Sequence, residues 1–293
     1  MRRRSGLALA LWALAAAAGA EPHATYVGSY VWQVEGPAFG GFSALDLSND
    51  GTAYVTISDR GQVLAGRFSR DGDGVVTAAS IRLQDWVRNG RGQRLLGKLA
   101  DAEGVALDGF GGIFVSFEGL ARVTHYPAIG GPEIPIDSPR DFAAFPGNEG
   151  PEALAMDAAG VIYAIPEHAM LRNRAFPVYR LQGDRWDRPF AIAGVGHWLP
   201  VSADVGPDGR LYVLFRDFLG IRGFLSRVAR YDLAGNVLGP EQVLLETAPG
   251  IHDNLEGLAV WLDDSGATRL SMISDDNFLM LQQTELVEYR LDP

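Results

Sequence analysis

The chain has 293 residues, no cysteine and a formal charge of −11. Lack of cysteine excludes disulfides, zinc–thiolate sites and a cysteine nucleophile. The acidic balance argues against a nucleic-acid or anionic-lipid surface and is compatible with cation binding.

Residues 1–20 read as a cleaved signal peptide. Arg2-Arg3-Arg4 is a basic start, Leu7 to Ala17 is apolar, and Ala18-Gly19-Ala20 is a small-residue cleavage pattern before Glu21. Ser5-Gly6 after the arginines favours the general secretory route over the twin-arginine one. The expected location is therefore secreted or periplasmic. Cleavage takes the charge to −14 and leaves one domain, residues 21–293. No later segment is a membrane-spanning run.

Five similar phrases then recur along the chain. They lie at residues 41–45, 102–107, 151–156, 201–205 and 255–260. Each is followed by a turn rich in Asp, Asn and Gly, and then by an apolar run that ends in charged residues. Aligned on Ser43, Glu103, Glu152, Ser202 and Glu256, the steps are 60, 49, 50 and 54 residues. Such a period, with several strands per unit, predicts a β-propeller.

In chain order, the first unit predicts strands at 42–47, 53–58, 63–68 and 75–83. Residues 70–74 form a tight Asp-Gly turn. An EF-hand is excluded there, because its bidentate Glu would fall on Arg82. Residues 82–100 are the one stretch with helical character, and residues 132–146 are a Pro-rich surface loop. The third unit predicts strands at 152–156, 161–165, 178–181 and 190–193. The fourth predicts 202–205, 211–215, 227–232 and 242–246. The fifth has only three strands, at 258–261, 269–273 and 286–291, and residues 25–34 are left to supply its fourth. The expected fold is all-β: a propeller of five or six four-stranded blades, with the ring closed by an N-terminal strand.

In a propeller the first strand of each blade lines the axis, and the second returns to the same face. This places Glu103, Glu152 and Glu256 around the axis, with Ser43 and Ser202 as gaps. Asp59, Arg60, Glu118, Glu167, His168, Arg216, Asp217, Asp275, Asp276 and Asn277 form a second ring. Converging glutamates raise each other's pKa or hold a cation. The proposed metal ligands are Glu103, Glu152, Glu256 and Asp275. All are oxygen donors, so calcium is the first choice of divalent metal, ahead of magnesium or manganese. Arg60 and Arg216 are candidates to hold an anionic group, and His168 is a candidate general base. His197 and His252 precede axial strands and could overhang the face. No Gly-x-Ser-x-Gly elbow, Walker loop or dinucleotide-binding pattern is present.

At these residues the chain resembles the family named for the esterase-like activity of phytase. The likeness is carried by Asn254-Leu-Glu256-Gly257-Leu, by Ser274-Asp275-Asp276-Asn277-Phe278 and by Gln282-Gln283-Thr284-Glu285-Leu286. It is supported by Gly40-Gly41-Phe-Ser43, Ser58-Asp59-Arg60, Asp101-Ala-Glu103-Gly104-Val, Ser116-Phe-Glu118-Gly119 and Asn148-Glu-Gly-Pro-Glu152. The resemblance implies a secreted propeller acting on esters or phosphoesters. Gluconolactonase-type lactonases are similar in architecture, but they use Glu, Asn and Asp where this chain has Glu and Ser. The dense Asp runs and basic phosphate pocket of alkaline propeller phytases are not evident. The leading expectation is a monomeric, metal-assisted hydrolase of a small anionic or ester substrate. The alternatives are a non-catalytic propeller that binds a ligand or protein, and a lactonase.

Overall fold

The computed structural model describes residues 22–36, 38–145, 147, 149–167 and 174–292. The expected signal peptide and His168 lie outside the described residues.

Five four-stranded antiparallel sheets form a five-bladed propeller. The first blade is Phe42–Leu47, Ala53–Ser58, Gln62–Arg70 and Val76–Trp86. The second is Ala102–Leu107, Ile113–Phe117, Arg122–Tyr126 and the two-residue Ile134–Pro135. The third is Pro151–Met156, Ile162–Pro166, Phe176–Gln182 and Arg185–Ile192. The fourth is Leu199–Val205, Leu211–Phe218, Phe224–Tyr231 and Gln242–Glu246. In the fifth, Asn254–Leu262, Thr268–Asp275 and Glu285–Leu291 are joined by Ala24–Val31, which pairs antiparallel with Glu285–Leu291.

The inner strands are apolar and buried because both their faces are covered. Each packs against the inner strands of its two neighbours, the fifth against the first. The outer strands are largely solvated: Val76–Trp86 buries only its first residue fully. Of the five or six blades expected, the described residues form five, because the long first step is taken up by the third and fourth strands of the first blade and by the connection that follows. The wet outer strand accounts for one departure from expectation. Residues 82–86 are strand rather than helix, and only Gly97–Leu99 turns, as a short 3-10 segment. An outer strand wet on both faces loses the apolar alternation that marks a strand in sequence.

The fifth and first blades are joined by more than backbone packing. Trp32, 2% exposed, follows the N-terminal strand and donates its backbone N–H to Thr284 O at 2.9 Å. Its indole packs among Phe39, Phe42, Tyr54 and Phe68. Arg70 of the first blade pairs with buried Glu288 of the fifth at 2.9 Å and lies 4.4 Å over the Trp261 ring.

Antiparallel order puts the connection between second and third strands, and the connection to the next blade, on one face. That face carries the candidate site.

Candidate functional site

One residue near the start of each inner strand is skipped by the pairing with the second strand. The skipped residues are Ser43, Glu103, Glu152, Val201 and Glu256. A bulge leaves its residue without a ladder partner and re-aims the side chain. Here it lifts three glutamates into one tier. The register corrects the sequence alignment in the fourth blade, where the bulge is Val201 and not Ser202. Ser202 occupies the position of Ala44, Gly104, Ala153 and Gly257, facing the next blade, and its hydroxyl accepts the Leu258 N–H at 3.1 Å. Close approach explains why glycine follows two of the glutamates. A Cβ on Gly104 would stand 2.6 Å from Glu152 O, and one on Gly257 2.6 Å from Leu45 N.

A second tier comes from the residue that follows the matching point on each second strand: Asp59, Glu118, Glu167, Arg216 and Asp275. In the first three blades the backbone fixes this position in the same way. The N–H groups of Asp59, Glu118 and Glu167 donate to the carbonyls of Gly41, Asp101 and Gly150. In the other two, Arg216 pairs with Leu199 and Asp275 with Asn254 in the ladder. The two tiers thus bring together the predicted Glu103, Glu152, Glu256, Asp275 and Arg216.

Arg216 divides this acidic surface in two. Its Nη1 donates to Glu256 Oε1 and, at 3.1 Å, to Asn254 Oδ1; its Nη2 donates to Glu167 Oε1 at 3.0 Å. Asn254 Nδ2 also donates to Glu256 Oε1 at 2.7 Å. Both ends of the guanidinium are therefore engaged by the protein itself. Even so, burial pushes the Glu256 carboxyl up to about 8, against the pull of Arg216. Burial, with Glu167 and Glu103 nearby, holds Glu152 well above the usual range.

Among the described residues, the other half has no arginine bonded to its carboxylates, although the Lys98 charge acts on Asp101 against burial. Carboxylate oxygens of Asp101, Glu103 and Glu118 lie within 4.8 Å of one another. Burial raises all three. Glu103 is raised well above its ordinary value, with Glu256 and Glu118 adding to the effect, and Glu118 reaches about 7 while hydrogen-bonding to Glu152. Asp59, which is raised by burial and in part by the Asp101 charge and itself acts on Glu103, has a buried Oδ1 with no hydrogen-bond partner among the described residues. An orphaned oxygen beside three clustered carboxylates, with no nitrogen or sulfur donor, fits a hard divalent cation. Asp101 was missed as a candidate because it precedes the repeat phrase and reaches the site only through its loop.

The remaining candidates sit nearby. Arg60 is exposed and stacks 3.3 Å over the Phe278 ring. Asp275, raised to about 6 by burial, accepts the Asn277 N–H at 2.7 Å. His252 turns away from the axis, bonding Tyr289 Oη at 2.8 Å. Asn277, Phe278 and Arg174 hold φ of 46°, 52° and 58°. These are the described non-glycine residues with left-handed backbone, and all lie on connections of this face. Such strain concentrates at functional surfaces.

A lower pair was also missed. Asp46 and Asp204 stand three residues after the bulges of the first and fourth blades, the two that lack an axial glutamate. They accept backbone N–H groups of Leu107 and Val260 in the next blades, each at 2.6 Å. Burial raises Asp46 to about 6. Burial, and then the Asp46 charge, raise Asp204 well above its usual range. Asp204 thus feels Asp46 although their blades are not adjacent, in keeping with two carboxylates held on inner strands. Every inner strand contributes one acid, Asp46, Glu103, Glu152, Asp204 or Glu256. The signal was present as Asp at one matching position of two inner strands.

Beside Arg216 opens a cleft of about 720 Å³ lined by Leu199, Phe218, Leu219 and Phe224, and by Arg174, His197, Arg216, Asp217, Asn254 and Asn277.

Residues 37–278 match the Phytase-like family, described as esterase-like activity of phytase. No curated protein matches the chain by sequence. Among solved structures, it is similar to a PQQ-bound aldose sugar dehydrogenase from Streptomyces coelicolor. That match has TM-score 0.51 and 10% identity, and covers 94% of this chain and 99% of that one. It is also similar to an exo-β-1,3-galactanase from Clostridium thermocellum (TM-score 0.57, 14% identity, 92% of this chain and 63% of that one). An α-L-arabinofuranosidase from Podospora anserina gives TM-score 0.54 at 11% identity, over 93% and 97% of the two chains. At these identities the likeness is one of fold.

Proposed function

The chain belongs to the Phytase-like family, and from that premise we propose that its acidic face is the site of a metal-assisted ester hydrolase. The observation that carries this reading is the unclamped group Asp101, Glu103 and Glu118, with the orphaned Asp59 oxygen beside it. These residues would hold a divalent cation, calcium by donor chemistry and crowding of carboxylates. Bound there, the cation would polarise an ester carbonyl oxygen.

The chain's own groups divide the remaining work. Arg216 engages both Glu256 and Glu167, so the second half of the face carries a counter-charge of its own. Burial, with Glu167 and Glu103 nearby, favours the protonated form of Glu152, which is hydrogen-bonded to Glu118. That pair is suited to pass a proton to a leaving alkoxide. Export by the N-terminal segment would place the enzyme outside the cytoplasm or in the periplasm, where calcium is available.

The test is thermal unfolding with calcium, magnesium or manganese against chelator, paired with a panel of carboxylate, phosphate and lactone esters. The reading expects a cation-dependent shift and chelator-sensitive hydrolysis, both lost in Glu103→Gln. Neither effect in the wild type would leave the protein a non-catalytic binding propeller.

A further inference from the structure

The fourth blade rises above the ring. In the first three blades, pairing between inner and second strands ends at Phe42 with Ser58, Ala102 with Phe117, and Pro151 with Pro166. In the fourth, the second strand continues through Arg216, Asp217 and Phe218, paired on its other edge with Ser226, Leu225 and Phe224. Three more residues, at about 3.3 Å each, raise a wall about 10 Å tall beside the acidic face. Phe218 and Phe224 form its upper surface with ring centroids 4.6 Å apart, and Phe218 remains 57% exposed. Leu199 and Leu219 extend this apolar surface along the cleft.

We infer that this cleft binds an uncharged apolar group, aryl or short alkyl. On the hydrolase reading above, on which only this clause rests, that group is the acyl or alcohol part of the ester. The polar floor of the cleft is already satisfied: Asn254, 2% exposed, gives its amide to Glu256 and accepts from Arg216. Both Nη atoms of Arg216 are already bonded, to Glu256, Asn254 and Glu167, so an incoming phosphate would have to compete with two carboxylates for the guanidinium. Arg174 and His197 are exposed at the edge, where water and salt screen the Arg174 charge. What remains open to a ligand is the aromatic and aliphatic wall. A phosphorylated polyol would instead bring its charge against Glu256, Glu167 and Asp217.

The probe is benzyl alcohol, followed by saturation-transfer NMR on the full chain. The wild type is expected to bind it. Phe218→Ala and Phe224→Ala are expected to weaken binding about tenfold, through loss of ring stacking and buried area, while Phe218→Tyr retains it. Phe218 is exposed, so Phe218→Ala should keep the wild-type unfolding midpoint and report on the cleft alone. For p-nitrophenyl butyrate, Phe218→Ala should raise KM about tenfold with kcat nearly unchanged. Absence of benzyl alcohol binding in the wild type, equal binding by Phe218→Ala, or displacement by inorganic phosphate would each overturn the inference. Binding that is lost in Phe218→Ala, with no hydrolysis of any ester, would refute the hydrolase reading and leave the cleft as inferred.

Discussion

Arg216 donates to Glu256 across the boundary between the fourth and fifth blades, and the same guanidinium reaches Glu167 of the third. One cation thus ties three blades together at the rim of a channel otherwise lined by carboxylates. Its own pKa is raised further, with burial opposed by Glu256, Glu152 and Glu167.

Removing that cation leaves two partly buried carboxylates unpaired. Arg216→Met should destabilise the fold by about 3 kcal/mol. Arg216→Met combined with Glu256→Gln should recover part of the loss. Urea denaturation of the four proteins in the cycle measures the coupling. A coupling below about 0.5 kcal/mol would mean that solvent screens the pair despite its position.

The pH dependence has a definite sign. Glu118, Glu256, Asp275 and Asp46 titrate in the fold at about 7, 8, 6 and 6, above their ordinary values. A folded state that holds protons the unfolded chain has released is most stable below the unfolded pKa values. It loses that stability as pH rises through the folded ones. In chelator, the protein should therefore be more stable near pH 5 than near pH 8.5. Saturating calcium should flatten this trend, because a cation keeps its ligands ionised. Chemical denaturation at the two pH values checks both statements. Stability that rises with pH in chelator would contradict the proton-holding channel.

Cation binding should distinguish the two halves of the face. Calcium at about one hundred times its dissociation constant should stabilise the fold by about 2.7 kcal/mol. Glu103→Gln should remove most of that shift. Glu256→Gln should remove little, because its partner is Arg216. Isothermal titration gives the affinities, and equal losses in the two variants would place the cation on the axis rather than among Asp101, Glu103 and Glu118.

The N-terminal strand should be essential for cooperative folding. Deleting residues 21–35 uncovers the edge of Glu285–Leu291 and empties the Trp32 position between the fifth and first blades. A narrower change, Trp32→Ala, should cost about 4 kcal/mol, as for other buried aromatic truncations. Calorimetry reads both, and a deletion variant that melts at the wild-type temperature would show that the inner-strand contacts hold the ring without it.

Residues whose role depends on local spacing were legible in the sequence. Glu103, Glu152 and Glu256 stand at one point of a strand-turn-strand phrase, and that phrase repeats because every blade needs the same apolar inner strand. Strand periodicity therefore determined the all-β ring, the face on which the glutamates meet, and the blade count to within one. The tertiary structure decided whatever depends on partners distant in the chain. Residues 82–86 became an outer strand because its partner, not its own alternation, supplies the hydrogen bonds. The bulge fell on Val201 because backbone register, invisible in a row of Val, Ser and Ala, sets which residue is skipped. Arg216 became a clamp, rather than a free anion-binding group, because the fold brings Glu167 and Glu256 to it from residues 49 and 40 positions away. A repeat encodes where side chains point, and only the closed ring determines which charges they meet.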